Sequence, residues 1–458
     1  MKILTKGMNI SGIADACGGK YTGKDALISG FSTDSGEIFE GTVFVAIKGE
    51  RRDGADFIPE VIKNGASCAI SATVPGGFED KVILVDDSVK ALGRLAAQHR
   101  EKRKDLQVVG ITGSVGKTTT KEMVYSVMSE KFNVHKTHGN HNSLVGLPMS
   151  ILTLDESYNA AVYEMGMSQR GQISNLSKIV KPDIAIITNV GHMHIEFLGS
   201  REAIRDAKCE ISDGLKEDGI LILNADEPLL AGKKAIYVGL ENPSAEYKAE
   251  NIREDESGTV FDIVNEGKKL KDVYIPAFGK HNVLNAAMAY AAGVCLGMSD
   301  EEIRRGLSNF KGEGMRQNFV EWGDYVFMED CYNAGPESMK ASLGVLEGYC
   351  KRRGMRPVAV LGQMRELGDY SDSLHTEVGA YAAGKVELLF TVKTEEMAKG
   401  AKDAGLGEER VISLGDMAYD EGASVIKTYL KKGDCVMFKA SRGVKLEELI
   451  QELKKQEK

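Results

Sequence analysis

Proline is scarce in this chain, at nine of 458 residues, and that scarcity excludes collagen-like and proline-rich linker architectures. Cysteine is also sparse: seven are scattered along the sequence, and no two are spaced as C-x-x-C. A zinc ribbon and a disulfide-stapled scaffold are excluded, and the odd count points to reduced thiols in the cytoplasm. Positive charge is not in excess, since the formal net charge is −9 and the isoelectric point is near 5.6. No global field is therefore available to hold a nucleic-acid backbone. Long apolar runs are missing as well. The stretch MKILTKGMNI at 1–10 lacks a signal-peptide core, and the most apolar helical stretch, AAMAYAAGVCLGM at 286–298, falls short of the roughly 20 residues that span a bilayer. The expectation is a cytoplasmic protein without nucleic-acid partners or membrane insertion, with a monomer as the default state.

What is present fits a large α/β enzyme. The length implies about three domains, each able to bury a core, and 51 glycines suit a fold rich in tight turns. Short apolar runs at 43–47, 68–70 and 82–85 separated by Gly and Asp turns predict a small N-terminal α/β domain over 1–103. The run LQVVGI at 106–111 then opens an alternation of buried parallel strands (160–165, 183–188, 219–224) and helices (from 117; 282–296). That pattern predicts a doubly wound central domain over 104–314. A third alternation, with strands at 325–330, 357–362, 388–392, 411–414 and 435–441, predicts a Rossmann-like domain over 315–458.

The strongest chemical signal is GITGSVGKTTT at 110–120, placed between a strand and a helix. Gly113 and Gly116 let the backbone curl so that its N–H groups and the helix N-terminus face phosphate, Lys117 reaches the terminal phosphate oxygens, and Thr118 holds Mg²⁺. The strict G-x-x-x-x-G-K-[ST] spacing asks for glycine where Ile111 stands. Glu164 ends the next apolar strand, where a carboxylate completes a magnesium shell or is simply solvated. His192, His194 and Glu196 share one loop after the third strand, which alone is a weak metal signal. His135, His138 and His141 are spaced three apart, but the Gly139–Asn140 turn breaks any helix that would align them, so a zinc site is not expected.

Together, the GKT loop, EMG at 164–166, NVGHMHIEFLGS at 189–200 and DAKCEISDGL at 206–215 resemble the Mur ligases of peptidoglycan synthesis. HGNHNSLVGLPMSIL, EDCYNAGPESM and LGQMRELGD, at 138–152, 329–339 and 361–369, are most similar to the branch that adds D-alanyl-D-alanine to UDP-N-acetylmuramoyl-tripeptide. The resemblance runs from STDSGEIFEG at 32–41 to FKASRG at 438–443. It implies an ATP-driven amide ligase working through an acyl phosphate, with ATP bound around Thr112, Gly113, Ser114, Gly116, Lys117, Thr118 and Thr119. It further implies Asn282 and Asn285 on the adenine side, Arg316 reaching phosphate, Asp330 at the ribose, and a Mg²⁺ site of Thr118, Glu164, His194 and Lys208. Lys208 matches a lysine that the family carbamylates, giving an anion able to organise the metal site; otherwise it reads as an ordinary surface lysine. Thr33, Asp34 and Ser35 match the UDP loop, and Asn140, Asn142, Asn333, Lys439, Ser441 and Arg442 match substrate-side positions.

The chain departs from the family pattern at Gly36, Ser143, Gly335, Gln363 and Ala440, all where substrate selectivity is expected. Two further readings stay open on the sequence. One is a superfamily paralogue with another amine or acceptor, including a folylpolyglutamate-type ligase; the other is a nucleotide-binding protein that lacks ligation. The third residue of the tripeptide, lysine or diaminopimelate, is not specified.

Overall fold

The structure of the protein, a computed structural model, describes residues 1–5 and 7–456. The chain divides into two compact units, each assembled from several segments.

The first unit comprises Met1–Thr112, Lys131–Ile186 and Cys209–Leu221. It contains a five-stranded sheet of β1 (Lys2–Leu4), β2 (Gly30–Ser32), β3 (Thr42–Val45), β4 (Ala66–Ser71) and β5 (Val82–Leu84), in that order. Only β1 is antiparallel to its neighbour. The expected apolar runs become β3, β4 and β5, whereas β1 and β2 are too short to show a period. The same unit holds β6 (Gln107–Thr112), β7 (Val134–Lys136), β8 (Ala160–Glu164) and, except for its last residue, β9 (Ile184–Ile187), in the order β9-β6-β8-β7. β6 is parallel to β8, and β8 to β7. All of β8 and β9 and all but the first residue of β6 are buried. Strands covered on both faces read as continuous apolar runs, which is why they were legible. The strand order reverses at β6, and ligands of open α/β sheets bind beyond the carboxyl end of the strand where that happens.

The second unit comprises Gly113–Glu130, Ile187–Lys208 and Ile222–Lys458. From Ile222 onward β10 (Ile220–Asn224) is followed by β11 (Ile236–Gly239), β12 (Tyr247–Glu254), β13 (Thr259–Asn265) and β14 (Lys268–Ile275). β10, β11 and β12 are parallel neighbours, while β12, β13 and β14 form antiparallel hairpins. Of these, only β10 is expected from the sequence. A six-stranded sheet follows, of β15 (Asn318–Trp322), β16 (Tyr325–Glu329), β17 (Arg356–Gly362), β18 (Leu388–Val392), β19 (Val411–Gly415) and β20 (Asp434–Lys439), in the order β15-β16-β20-β17-β18-β19. It is parallel apart from the edge strand β15. Its fully buried core includes Phe327, Val358, Phe390, Val436 and Phe438, each contributing about 1.5–3 kcal/mol. Among the described residues no helix is long and apolar enough to cross a membrane, and all seven cysteines are free thiols.

Candidate functional site

Residues 113–116 lead from β6 into the helix Lys117–Met128. Gly116 caps that helix at φ 83°, a left-handed position that favours glycine. A Cβ at Gly113 would lie 1.9 Å from Thr188 Oγ1, and one at Gly116 3.0 Å from Asn285 Oδ1. The segment after β9 holds the loop in shape. Thr188 Oγ1 donates to Val115 O at 2.6 Å, and Asn189 donates to the same carbonyl at 3.0 Å while accepting from Val115 N at 2.9 Å. Gly191 N donates to Ser114 Oγ at 2.8 Å. This corrects the picture of a loop whose amides all face phosphate, because the Ser114 and Val115 N–H groups turn to Asn189. The helix N-terminus that begins at Lys117 is, by its dipole, the end of a helix that suits an anion. Lys117 folds over the loop, donating to Gly113 O at 2.9 Å and Ser114 O at 3.2 Å. Thr118 is buried and Thr119 half-buried in the first turn.

Lys208 closes the helix Arg201–Cys209 and is fully buried, so it is not the surface lysine that its sequence context allows. Burial, reinforced by the charge of Lys117, holds its amine well below the ordinary lysine value. The three polar residues of the loop after β9 diverge. His192 Nδ1 meets Glu337 Oε1 at 2.6 Å, His194 Nδ1 sits against Glu366, and Glu196 is exposed. The bond to His194 holds the Glu366 carboxyl below its usual range. A carboxylate on one imidazole nitrogen orients a histidine so that its other nitrogen serves as a ligand.

Asn282 and Asn285 lie one turn apart on the helix Lys280–Cys295, both buried, and Asn285 Nδ2 donates to Asn282 Oδ1 at 3.3 Å. Asn282 also donates to Gln317 Oε1 at 3.0 Å. Arg316 lies over the Tyr332 ring at 3.9 Å, with Arg442 at 6.0 Å from the same ring. Asp330 accepts from Lys439 Nζ at 2.8 Å and from Ser342 Oγ at 2.5 Å. Lys439 reaches Asn333 O at 3.2 Å. Ser441 Oγ accepts from Arg365 N at 2.9 Å, and Arg442 pairs with Glu447 at 2.8 Å. Because the Lys439 and Asp330 side chains are only 4% and 7% exposed, Asp330→Ala strands a buried ammonium. It should destabilise the fold by about 3–5 kcal/mol, read as a lower urea midpoint.

In the first unit, Asn142 Nδ2 donates to Glu164 Oε1 at 2.7 Å, and Thr137 Oγ1 accepts from Glu164 N at 3.0 Å. These residues gather at the carboxyl end of β8. Asn140 is exposed, and its carbonyl accepts from Asn142 N. Thr112 Oγ1 donates to Met165 O at 2.9 Å. Ile111 occupies the place of the strict motif's first glycine because β6 continues through it, in register with Glu164. The Thr33, Asp34 and Ser35 loop is built on the other sheet, after β2, where Asp34 Oδ1 accepts from Gly36 N at 2.9 Å. His135 is buried, bonded to Thr153 Oγ1 at 2.8 Å and lowered to about 4 by desolvation. It belongs to the core. Among the described residues no three His, Cys, Asp or Glu side chains gather into a group able to hold a metal.

Three departures have local reasons. Ser143 Oγ accepts from Gly146 N at 3.1 Å, at the start of the helix Gly146–Ile151. A Cβ at Gly335 would come within 2.5 Å of Met193 Sδ, and the Ala440 Cβ lies 2.7 Å from where one on Gly362 would stand. Nothing in the structure explains Gly36 or Gln363. The sequence reading missed Thr188 and Asn189, whose signal was the TN directly after an apolar strand. It also missed Glu337 and Glu366, which nothing local distinguishes from surface carboxylates.

Family models match the chain in three consecutive stretches: Mur ligase family, catalytic domain, at 27–100; Mur ligase middle domain, at 111–293; and Mur ligase, glutamate ligase domain, at 315–442. The chain is 39% identical to UDP-N-acetylmuramoyl-tripeptide–D-alanyl-D-alanine ligase of Bacillus subtilis, covering 94% of each chain. Among solved structures it is similar to MurF from Acinetobacter baumannii, with a TM-score of 0.89 at 30% identity over 99% of this chain and 100% of that one. It is also similar to MurF ligase from Thermotoga maritima in complex with ADP, with a TM-score of 0.82 at 32% identity over 93% and 97% of the two chains.

Proposed function

The chain belongs to the Mur ligase family, and we infer that it is an ADP-forming ligase joining D-alanyl-D-alanine to UDP-N-acetylmuramoyl-tripeptide in peptidoglycan precursor synthesis, in the cytoplasm. The observation that carries this reading is the phosphate loop, pinned by Thr188 and Asn189, with the buried Lys208 within electrostatic reach of Lys117. Residues 1–103, 104–314 and 315–458 are assigned to the UDP-substrate, ATP and C-terminal Rossmann-like domains. That division is supported by the family models that match within each of them.

The chemistry is two displacements. An oxygen of the tripeptide's terminal carboxylate attacks the γ-phosphorus of ATP, the bond to the β-phosphate oxygen breaks, and ADP leaves. The amine of D-alanyl-D-alanine then attacks the acyl carbon, phosphate departs with the C–O electron pair, and the nitrogen loses a proton. Phosphoryl transfer demands positioning and charge neutralisation rather than a covalent protein group. Lys117 and Arg316 supply fixed positive charge, and the helix Lys117–Met128 directs its N-terminal amides at phosphate. The departures that lie at Gly36, Gln363 and the substrate-side motifs leave these groups in place.

The residues also fit a nucleotide-borne magnesium. Thr118 offers a hydroxyl at the helix start, and His194 is braced by Glu366. Glu164 matches the family's remaining metal position. Magnesium takes most of its ligands from phosphate and water, so no dedicated three-residue cluster is needed. Bound there, it would neutralise charge on the transferring phosphoryl group. Lys208 suits carbamylation, since a lysine kept neutral by burial is nucleophilic toward carbon dioxide.

The decisive assay measures ADP and phosphate release with Mg-ATP, UDP-N-acetylmuramoyl-tripeptide and D-alanyl-D-alanine, omitting each in turn. Turnover is expected to require all three and to give a product with the mass of the pentapeptide. Nucleotide binding without that product rejects the assignment and turns attention to other amines.

A further inference from the structure

We propose that the ion pair between buried Lys121 and half-buried Glu313 and the ring of Tyr332 form a positioning device for Arg316, setting where its guanidinium meets the transferring phosphoryl group. The proposal rests on the reading of Arg316 as the phosphate-contacting arginine of the ligase.

Lys121 stands one helical turn beyond Lys117, on the same side of the helix Lys117–Met128. Its side chain is fully buried, with Nζ 2.8 Å from Glu313 Oε2 and 3.0 Å from Glu122 Oε1. A buried ammonium is costly to desolvate and often adds nothing to stability over an apolar side chain. Its use here is geometric. Glu313 lies in the irregular stretch 310–317, between the helix Asp300–Ser308 and β15, which has no helix or sheet ladder to set its course. The ion pair ties this stretch to the phosphate-loop helix.

The stretch then hands its position to Arg316. Gly314 adopts φ 64°, a conformation that glycine reaches without strain, and Arg316 N donates back to Gly314 O at 3.0 Å. Arg316 Nη1 donates to the Glu313 carbonyl at 3.1 Å, so the residue whose carboxylate is clamped by Lys121 also holds the guanidinium through its backbone. The guanidinium plane rests on Tyr332, 3.9 Å from the ring centroid, and Tyr332 N donates to Met315 O at 3.3 Å. A ring face attracts a cation and limits its motion at once. A carbonyl and a ring face together therefore hold a side chain that is otherwise rich in rotamers. A displacement of about 1 Å at such a group costs about 10²-fold in rate, which is the scale expected when the device is loosened.

The test uses the full chain with its three substrates. Glu313→Gln keeps an acceptor for Lys121 but removes the charge, and Glu122 remains as its counter-ion, so the variant should fold with a thermal midpoint near wild type. Glu313→Gln and Tyr332→Leu are each expected to lower kcat by about 10- to 100-fold with KM for ATP nearly unchanged. Tyr332→Phe, which preserves the ring face, should retain activity. In an Arg316→Ala background, neither Glu313→Gln nor Tyr332→Leu should cause further loss, because residues acting through Arg316 have nothing left to position. Losses that multiply in that background, or a Tyr332→Leu variant that changes KM alone, overturn the proposal. An Arg316→Ala variant with wild-type kcat overturns the underlying reading of Arg316, and is told apart because it needs no second substitution.

Discussion

Lys117→Ala should lower turnover by about 10²–10³-fold or more while leaving the thermal midpoint close to that of the parent. The side chain is half-buried, and its ammonium rests on the carbonyls of Gly113 and Ser114, at the start of the helix Lys117–Met128. In the proposed function Lys117 is a fixed cation where charge shifts between the β- and γ-phosphates, and such a cation gains strength as water is excluded. Its removal therefore costs far more in the transition state than in the folded resting state. Lys117→Arg should recover only part of the loss, because a planar fork does not replace a compact ammonium at a loop shaped around one. Steady-state ADP release gives the rate, and calorimetry with a non-hydrolysable ATP analogue gives the binding component. An alanine variant within tenfold of wild type would remove Lys117 from the chemistry.

Lys208→Ala is the second large effect, a loss of about 10–100-fold with partial recovery on adding acetate or formate. Burial and the neighbouring Lys117 charge both disfavour the Lys208 ammonium. The proposed carbamylation would reverse that balance. The amine nitrogen would bond to the carbon of carbon dioxide with loss of one proton, and the resulting anion would be attracted by the same Lys117 charge that opposes the cation. A short carboxylic acid can occupy the space vacated by the alanine and supply the missing negative charge. Isotopically labelled bicarbonate should give a carbamate carbon resonance in the wild type that is absent from the variant. Full activity of Lys208→Ala, or no carbamate signal in an active wild-type sample, would sink the idea.

Much of the scaffold was readable in advance because its strands are buried on both faces and so appear as unbroken apolar runs, as in β6, β8, β18 and β20. β12 and β14 were not, because their partly exposed faces mix charge with apolar residues, and YKAENIRE and KKLKDVYI show no clean alternation. The phosphate loop was legible for a different reason. Its glycines, lysine and threonine are adjacent in sequence, so a local turn is enough to bring them together. The partners that brace the site are distant: Glu366 lies far along the chain from His194, and Glu313 from Lys121.

The order of the amino acids was therefore enough for the alternating α/β plan, the place of the nucleotide loop and the family resemblance, since each rests on short-range pattern. The folded chain alone revealed that Lys208 is buried, that Asn189 accepts from the Ser114 and Val115 amides of the loop, and that Gly335 makes room for Met193. Desolvation, charge pairing and steric fit depend on neighbours that only folding assembles, and no local pattern encodes them.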